Sequence, residues 1–146
     1  MPMSFRNTPR RGMSTIETAL VLPLLMLVLF GIIEGCRVVA ADELLNNASR
    51  EAARLASVST TTLTTADIQA AAVKRYSGGT TAPGLTVLVY RADPTTGQNI
   101  GAWTDAGQGD CIGVETTVQY SIAMPLLGLP KTLTLHAKSL VYSEGN

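Results

Sequence analysis

The sequence predicts an α+β protein with one long N-terminal helix, one short helix and an antiparallel sheet of about three strands. Two patterns lead to this fold class. An apolar segment near the N-terminus runs directly into a region whose apolar residues recur at helical spacing, and the second half of the chain contains three runs rich in β-branched and aromatic residues. At 146 residues, the chain has room for one small folded domain beside the apolar segment.

The apolar segment, residues 19–33, lies between Glu17 and Glu34. At ~1.5 Å per residue it is about 23 Å long, shorter than the roughly 30 Å of a bilayer core, so a spanning helix has to include flanking residues. The predicted transmembrane helix is therefore 13–36, with a kink at Pro23. The basic residues before it are Arg6, Arg10 and Arg11. Their positive charge predicts a cytoplasmic N-terminus.

The same segment has two other interpretations. A secretory signal peptide also combines basic residues with an apolar core, and the small residues Val38-Val39-Ala40 allow a cleavage site. A lipoprotein signal would end at Cys36, but Glu34 places a charge among the residues before it. Only a retained span gives Glu17 a role, because a carboxylate within the membrane is costly unless it is protonated or paired with a cation.

A short motif precedes the apolar segment: Arg10-Arg11-Gly12-Met13-Ser14-Thr15-Ile16-Glu17, a basic leader that ends in glycine, four residues, and then glutamate. This motif resembles a prepilin peptidase site. Two further runs extend the pattern: Glu17-Thr18-Ala19-Leu20-Val21-Leu22-Pro23-Leu24-Leu25 with Gly31-Ile32-Ile33-Glu34-Gly35, and Ala48-Ser49-Arg50-Glu51-Ala52-Ala53-Arg54. Residues 12–56 thereby resemble the TadE-like pseudopilins of the tight-adherence (Tad/Flp) type IV pilus family. Thr18 departs from the pilin-type pattern, which often has an aromatic residue there.

The resemblance implies how the N-terminus is processed. Cleavage would follow Gly12, so that 1–12 is a leader peptide, Met13 is the mature N-terminus and Glu17 is the fifth residue. The small Gly12 leaves an accessible peptide bond at the cytoplasmic edge of the membrane. The resemblance also implies that Glu17 acts in assembly, where it pairs with the free amine of a neighbouring subunit's Met13.

The resemblance further implies a structural function, the assembly of a tight-adherence pilus as a minor pilin or pseudopilin, and no enzymatic activity. The implied partners are a prepilin peptidase, other pilins or pseudopilins of the same system, an inner-membrane assembly platform and membrane lipid. The expected location is the inner membrane, with the C-terminal part in the periplasm, and the extracellular pilus after assembly. The alternative is a membrane-tethered or secreted extracytoplasmic binding module with no role in a pilus.

Beyond the span, residues 37–57 are predicted to continue the same helix as an amphipathic stalk. Its apolar stripe consists of Val38, Ala41, Leu45, Ala48, Ala52 and Leu55, at spacings of three and four residues. These mostly small side chains suit close packing against a sheet or another helix. Gly31 and Gly35, four residues apart near the outer end of the span, are candidates for helix packing in the membrane.

The remaining residues, 58–146, are predicted to form a small α+β head. Thr64 and Asp67 fit a capping box at the start of a short helix, which Gly78-Gly79 ends. The predicted strands are 85–91, 114–124 and 132–142. The connection 125–130 between the last two strands is unusually apolar and suits packing on the core, the membrane or a neighbour.

Alternation within the last strand assigns its faces. Leu133, Leu135, Ala137 and Val141 are predicted to face the core, and His136 to face solvent. In the long loop between the first two strands, Trp103 either anchors the loop on the sheet or contacts another subunit.

The composition argues against several functional classes. From Met13 onward, eight basic residues stand against 11 acidic ones, so no nucleic-acid partner is expected. The chain has a single histidine and no recognisable nucleophile–base pair or phosphate-binding glycine motif, so no catalytic residues are expected. The aspartates of the long loop lack calcium-loop spacing, so neither a metal nor a cofactor is expected. Cys36 and Cys111 are candidates for one disulfide.

Overall fold

The protein is described here from a computed structural model, which covers residues 11–58, 62–77, 84–123 and 131–144. The elements in chain order are α1 (Arg11–Val58), α2 (Thr65–Ser77), β1 (Thr86–Ala92), β2 (Asn99–Gly101), a 3₁₀ helix (Trp103–Asp105), β3 (Cys111–Ser121) and β4 (Thr132–Tyr142). The predicted α+β class, with one long N-terminal helix and one short helix, is confirmed. The sheet has four strands instead of about three, because the short β2 pairs with the end of β1.

Helix α1 is a single element of 48 residues, about 72 Å long, with Pro23 inside it. Its two halves differ in their surroundings. The large apolar side chains between Ile16 and Ile33 are mostly exposed, whereas one side of the helix is buried from Ala41 onward. The prediction that one helix includes both the apolar segment and the stalk is therefore confirmed.

The sheet is antiparallel, with strand order β2-β1-β3-β4. Its register places Val89 of β1 opposite Val114 of β3, and Thr116 of β3 opposite Ala137 of β4. These residues point to the face that α1 and α2 cover, where Val114 and Thr116 are fully buried. The sheet and the two helices thus form two layers around one core.

Small residues on α1 let the helix approach the sheet closely. Its buried side chains are Ala41, Leu45, Ala48, Ser49, Ala52, Ala53, Ala56 and Ser57, of which only Leu45 is large. The Ser49 hydroxyl donates a hydrogen bond of 3.1 Å to the Val114 carbonyl of β3. Residues 37–57 are therefore packed into the domain, and the predicted boundary at residue 58 falls within one core. We call residues 34–58 of α1, α2 and the sheet the folded domain.

The start of α2 is held by a reciprocal cap. The Thr64 hydroxyl accepts a hydrogen bond from the Asp67 backbone N–H (3.3 Å), and the Asp67 carboxylate accepts bonds from the Thr64 backbone N–H (2.9 Å) and hydroxyl (2.6 Å). These bonds from Thr64 hold the pKa of Asp67 below its usual value. The predicted capping box is thus present. Gly78-Gly79, predicted to end this helix, lies outside the described residues.

Trp103 anchors the long loop between β1 and β3. Its side chain is buried in the main core cluster, and its indole Nε1 donates a hydrogen bond of 2.9 Å to the Thr65 hydroxyl at the start of α2. The core cluster includes Val87 and Val89 of β1, so Trp103 anchors the loop on the sheet, as the first of its two predictions states, and also on the start of α2.

The strand predictions are close in position but differ in detail. Strand β4 has the predicted bounds, β1 begins one residue later than predicted, and β3 begins at Cys111 and ends at Ser121. His136 is exposed as predicted and is hydrogen-bonded to the Thr117 hydroxyl (3.0 Å). Leu133 was predicted to be in the core but is 38% exposed, because it lies near the end of β4 beyond the closely packed part of α1. The apolar connection 125–130 lies outside the described residues.

Candidate functional site

The apolar segment of α1 is the largest feature that the folded domain leaves uncovered. An 18-residue window of this helix has a mean hydropathy of 2.5, and none of that window is buried. Leu20 is 74% exposed and Ile32 is 60% exposed. The helix is long and apolar enough to cross a membrane, which fits a single-pass membrane protein.

Residues 11–17 of the proposed processing motif lie on this helix, and Arg10 lies outside the described residues. Gly12 and Met13 are in the first turn of α1, and Glu17 follows one turn later on its exposed surface. Glu17 borders a shallow apolar hollow on the side of the helix, which Val21, Leu22 and Leu25 also line. The motif therefore lies at the N-terminal end of the uncovered helix, where a membrane surface or another helix has access to it.

The glycine pair at the outer end of the apolar segment also faces open space. A methyl group added at Gly31 or Gly35 would meet no atom within 4 Å. Neither glycine is needed for packing within the described part of the chain. Their predicted role in helix packing thus depends on contacts with another molecule.

Glu34 joins α1 to the far end of the sheet. Its carboxylate accepts hydrogen bonds from the Tyr120 hydroxyl (3.3 Å) and the Ala123 backbone N–H (3.2 Å), and it pairs with Arg37 at 3.1 Å. The Arg37 guanidinium also lies 6.0 Å from the centre of the Tyr120 ring. Only 14% of the Glu34 side chain is exposed. This cluster fixes the folded domain to the helix at the point where the apolar segment ends.

In the sequence, Glu34 is the boundary of the apolar segment and part of the TadE-like pattern, and nothing there predicts its contact with the sheet. Its partners Tyr120 and Ala123 are 86 and 89 positions away, so no local pattern identifies them. The available signal was a single acid immediately after 15 apolar residues, since such a residue has to be solvated or paired.

Replacing this carboxylate is expected to destabilise the folded domain. Glu34→Ala leaves the Ala123 N–H and Tyr120 hydroxyl without their acceptor, which should cost about 1–3 kcal/mol of unfolding free energy. Chemical denaturation of the full chain in micelles measures the change. The matched control is Glu43→Ala on the exposed side of the same helix, for which about 0.5 kcal/mol or less is expected. Equal stability of the two variants would show that the Glu34 contacts contribute nothing.

The two cysteines do not meet. Both thiols are free; Cys36 is exposed on α1 and Cys111 is buried at the start of β3. Because Glu34 contacts the other end of β3, the length of that strand, about 33 Å, separates the two positions. A disulfide requires Cα atoms roughly 4.4–6.8 Å apart, so the candidate Cys36–Cys111 bridge is not formed within this chain.

The aspartates of the long loop have structural partners. Asp93 accepts hydrogen bonds of 2.8 Å from the backbone N–H groups of Thr95 and Thr96, which lower its pKa. Asp110 pairs with Arg91 at 3.2 Å. Within the described residues, no group of three or more histidine, cysteine, aspartate or glutamate side chains is arranged to hold a metal ion.

The comparisons with known proteins agree with the position of these features. The model of the TadE-like protein family matches residues 12–54, which begin at the proposed cleavage site and end within the buried part of α1. No curated protein and no solved structure matched the chain. TadE-like proteins are structural components associated with Tad pili. The chain is therefore similar to the TadE-like proteins over residues 12–54, which are less than a third of its length.

Proposed function

We propose that the chain is a minor pilin or pseudopilin that is inserted in the inner membrane, cleaved after Gly12 and assembled into a tight-adherence pilus. One observation carries this proposal. The TadE-like match coincides with a helix whose apolar side chains are mostly exposed along the segment 19–33. Such a surface is stable only in lipid or against other apolar helices, and a pilin meets these two environments in turn.

Assembly would exchange lipid contacts for contacts between α1 helices. Lipid and leucine side chains are similarly apolar, so the exchange needs a further source of specificity. Glu17 and the new amine of Met13 would supply it as an ion pair between two subunits. The two residues are four positions apart, about 6 Å along α1, so such a pair would also set an axial offset between neighbours.

The folded domain would be held outside the inner membrane, in the periplasm and later on the fibre. Through the contacts of Glu34 with Tyr120 and Ala123, one edge of the folded domain lies directly at the end of the apolar segment. Its orientation would then follow that of α1. A prepilin peptidase, other pilins or pseudopilins of the system and an inner-membrane platform are the proposed partners.

The N-terminal residue of the protein from native membranes tests this proposal. A chain beginning at Met13 is expected in cells that have the prepilin peptidase, and the uncut chain in cells that lack it. Gly12→Val should block cleavage, because a branched side chain would obstruct the peptide bond. Gly35→Val is the matched control and should be cleaved normally, since a side chain at Gly35 meets nothing within 4 Å. Intact-mass measurement distinguishes these products.

The alternative function, a secreted or tethered binding module, predicts a different N-terminus. Ala41 is the first buried residue of α1, so cleavage after Ala40 would leave the core residues in place. It would also remove Glu34 and its contacts with the end of β3. A mature chain that starts near Ala41, or an uncut chain in cells with active peptidase, would refute the pilin proposal.

A further inference from the structure

A basic groove lies between α1 and α2 on the side of the helices that faces away from the sheet. It has a volume of about 910 Å³. Its charged lining residues are Arg50, Glu51, Arg54, Lys74 and Arg75. These four basic residues and one acidic residue give the groove a net charge of about +3.

The one acidic side chain that lines the basic groove, Glu51, is already paired with a basic side chain of the same groove. The Glu51 carboxylate forms two bonds with the guanidinium of Arg54, at 2.8 and 3.1 Å. The hydrogen bond from Arg54 is the main cause of the lowered pKa of Glu51, and the charge of Arg75 contributes to it. Glu51 therefore neutralises about one of the four positive charges and leaves the other three uncompensated.

No other carboxylate side chain of the protein compensates them. Arg50, Lys74 and Arg75 are exposed, and none forms an ion pair within the four described ranges. Outside those ranges the sequence has neither aspartate nor glutamate. Side chains of like charge held in one groove repel each other, and an anionic ligand would remove that repulsion.

The position of the basic groove excludes the headgroups of the membrane that holds the chain. Asn47, the lining residue nearest to the apolar segment, is 11 residues beyond Cys36, the end of the predicted span, or about 17 Å along the helix. Attraction between exposed charges is largely screened beyond ~8 Å at physiological salt. Nucleic acid is also disfavoured, since no aromatic side chain lines the groove and acidic residues predominate from Met13 onward.

A polypeptide segment with several carboxylate side chains matches the uncompensated positive charge of the basic groove. Arginine presents a planar set of donors that matches a carboxylate, and clustered arginines are a recurring means of recognising acidic segments. The amide side chain of Asn47, at one end of the basic groove, can also hydrogen-bond to a peptide backbone. We infer that the basic groove is a docking site for an acidic segment of a partner protein. This inference does not depend on the proposed function in pilus assembly.

The binding experiment uses the full chain in nanodiscs of uncharged phosphatidylcholine and a fluorescently labelled peptide of ten glutamates. Anisotropy should show saturable binding that weakens as salt is raised, whereas a peptide of ten glutamines should not bind. The triple variant Arg50→Ala/Lys74→Ala/Arg75→Ala should raise the Kd at least tenfold. Because the three side chains are exposed, it should unfold at the same temperature as the parent.

The matched control is Lys131→Ala, a loss of an exposed basic residue that does not line the basic groove, and its Kd should stay within twofold of the parent. Failure of the glutamate peptide to bind would overturn the inference. An unchanged Kd in the triple variant would do the same. The inference would also be refuted if the parent bound phosphatidylglycerol vesicles or inorganic phosphate in place of the peptide and the triple variant did not. The basic groove would then be a site for phosphate groups.

Discussion

Leu45→Ala is expected to lower the unfolding free energy of the folded domain by about 2–5 kcal/mol. Leu45 is fully buried and is the only large side chain among the buried residues described on α1. It packs in a cluster with Val118, Leu135 and Ala137. The residues one turn away from it on the buried face of the helix are the small Ala41, Ala48 and Ser49, so none of them can fill the cavity left by its removal.

This effect can be measured by chemical denaturation of the full chain in micelles. Trp103 is the only tryptophan and is buried in the core, so its fluorescence reports unfolding of the domain. The matched control is Leu44→Ala, which removes the adjacent leucine, 45% exposed, and should cost less than about 1 kcal/mol. If both variants lose the same stability, α1 does not pack on the sheet through the face described here.

Glu17→Ala is expected to leave cleavage after Gly12 intact and to reduce incorporation of the subunit into fibres by two orders of magnitude or more. In the proposed assembly, the variant leaves the amine of a neighbouring Met13 buried without its partner. Breaking a buried ion pair in this way costs roughly 3–5 kcal/mol, and each 1.4 kcal/mol is about a factor of ten in the equilibrium. Glu17→Ala should therefore still be cleaved after Gly12 but should fail to enter fibres.

The readouts are the mature N-terminus in membranes and the amount of subunit in sheared fibres. Glu43→Ala serves as the control, because it removes an exposed carboxylate from the same helix outside the apolar segment. Glu17→Gln separates charge from hydrogen bonding, since the amide keeps the shape but cannot form the ion pair. Normal assembly of Glu17→Ala would refute the role assigned to Glu17 in assembly. It would not affect the proposal that the chain is cleaved after Gly12.

The fold was predictable where the sequence has a strong period. The apolar segment, the stripe from Ala41 to Ala52 and the alternation of β4 each predict an element that the structure contains. The cap of α2 was predictable for a similar reason, because Thr64 and Asp67 are only three residues apart. In these cases the contacts are local or depend on a repeating pattern along the chain.

The missed features depend on residues that are distant in sequence. β2 has only three residues, all exposed, and exists because it pairs with β1. The start of β3 was missed because Gly113 suggests a turn. In the structure, Gly113 lies under the Tyr90 ring, where an added methyl group would be 2.7 Å from two ring carbons. The Tyr90 ring of the neighbouring strand occupies the space that a side chain at Gly113 would need, and a single sequence does not reveal this contact.

The candidate site was predictable in part. The motif around Gly12 and Glu17 is a local sequence pattern, and its role in processing and assembly stays a prediction. The Glu34 cluster and the basic groove combine residues from separate elements, so they appear only when α1 has been placed against α2 and the sheet. The sequence shows that the chain has two cysteines. It does not show that about the length of a strand separates them.

The continuity of α1 has a mechanical consequence. The same helix that carries the exposed apolar segment also forms one wall of the core, with no linker between residues 33 and 41. A force along the helix axis therefore acts as shear on the contacts between α1 and the sheet. Many of these contacts resist the force at the same time. Tension on the N-terminal part would be transmitted to the domain without first extending a flexible tether.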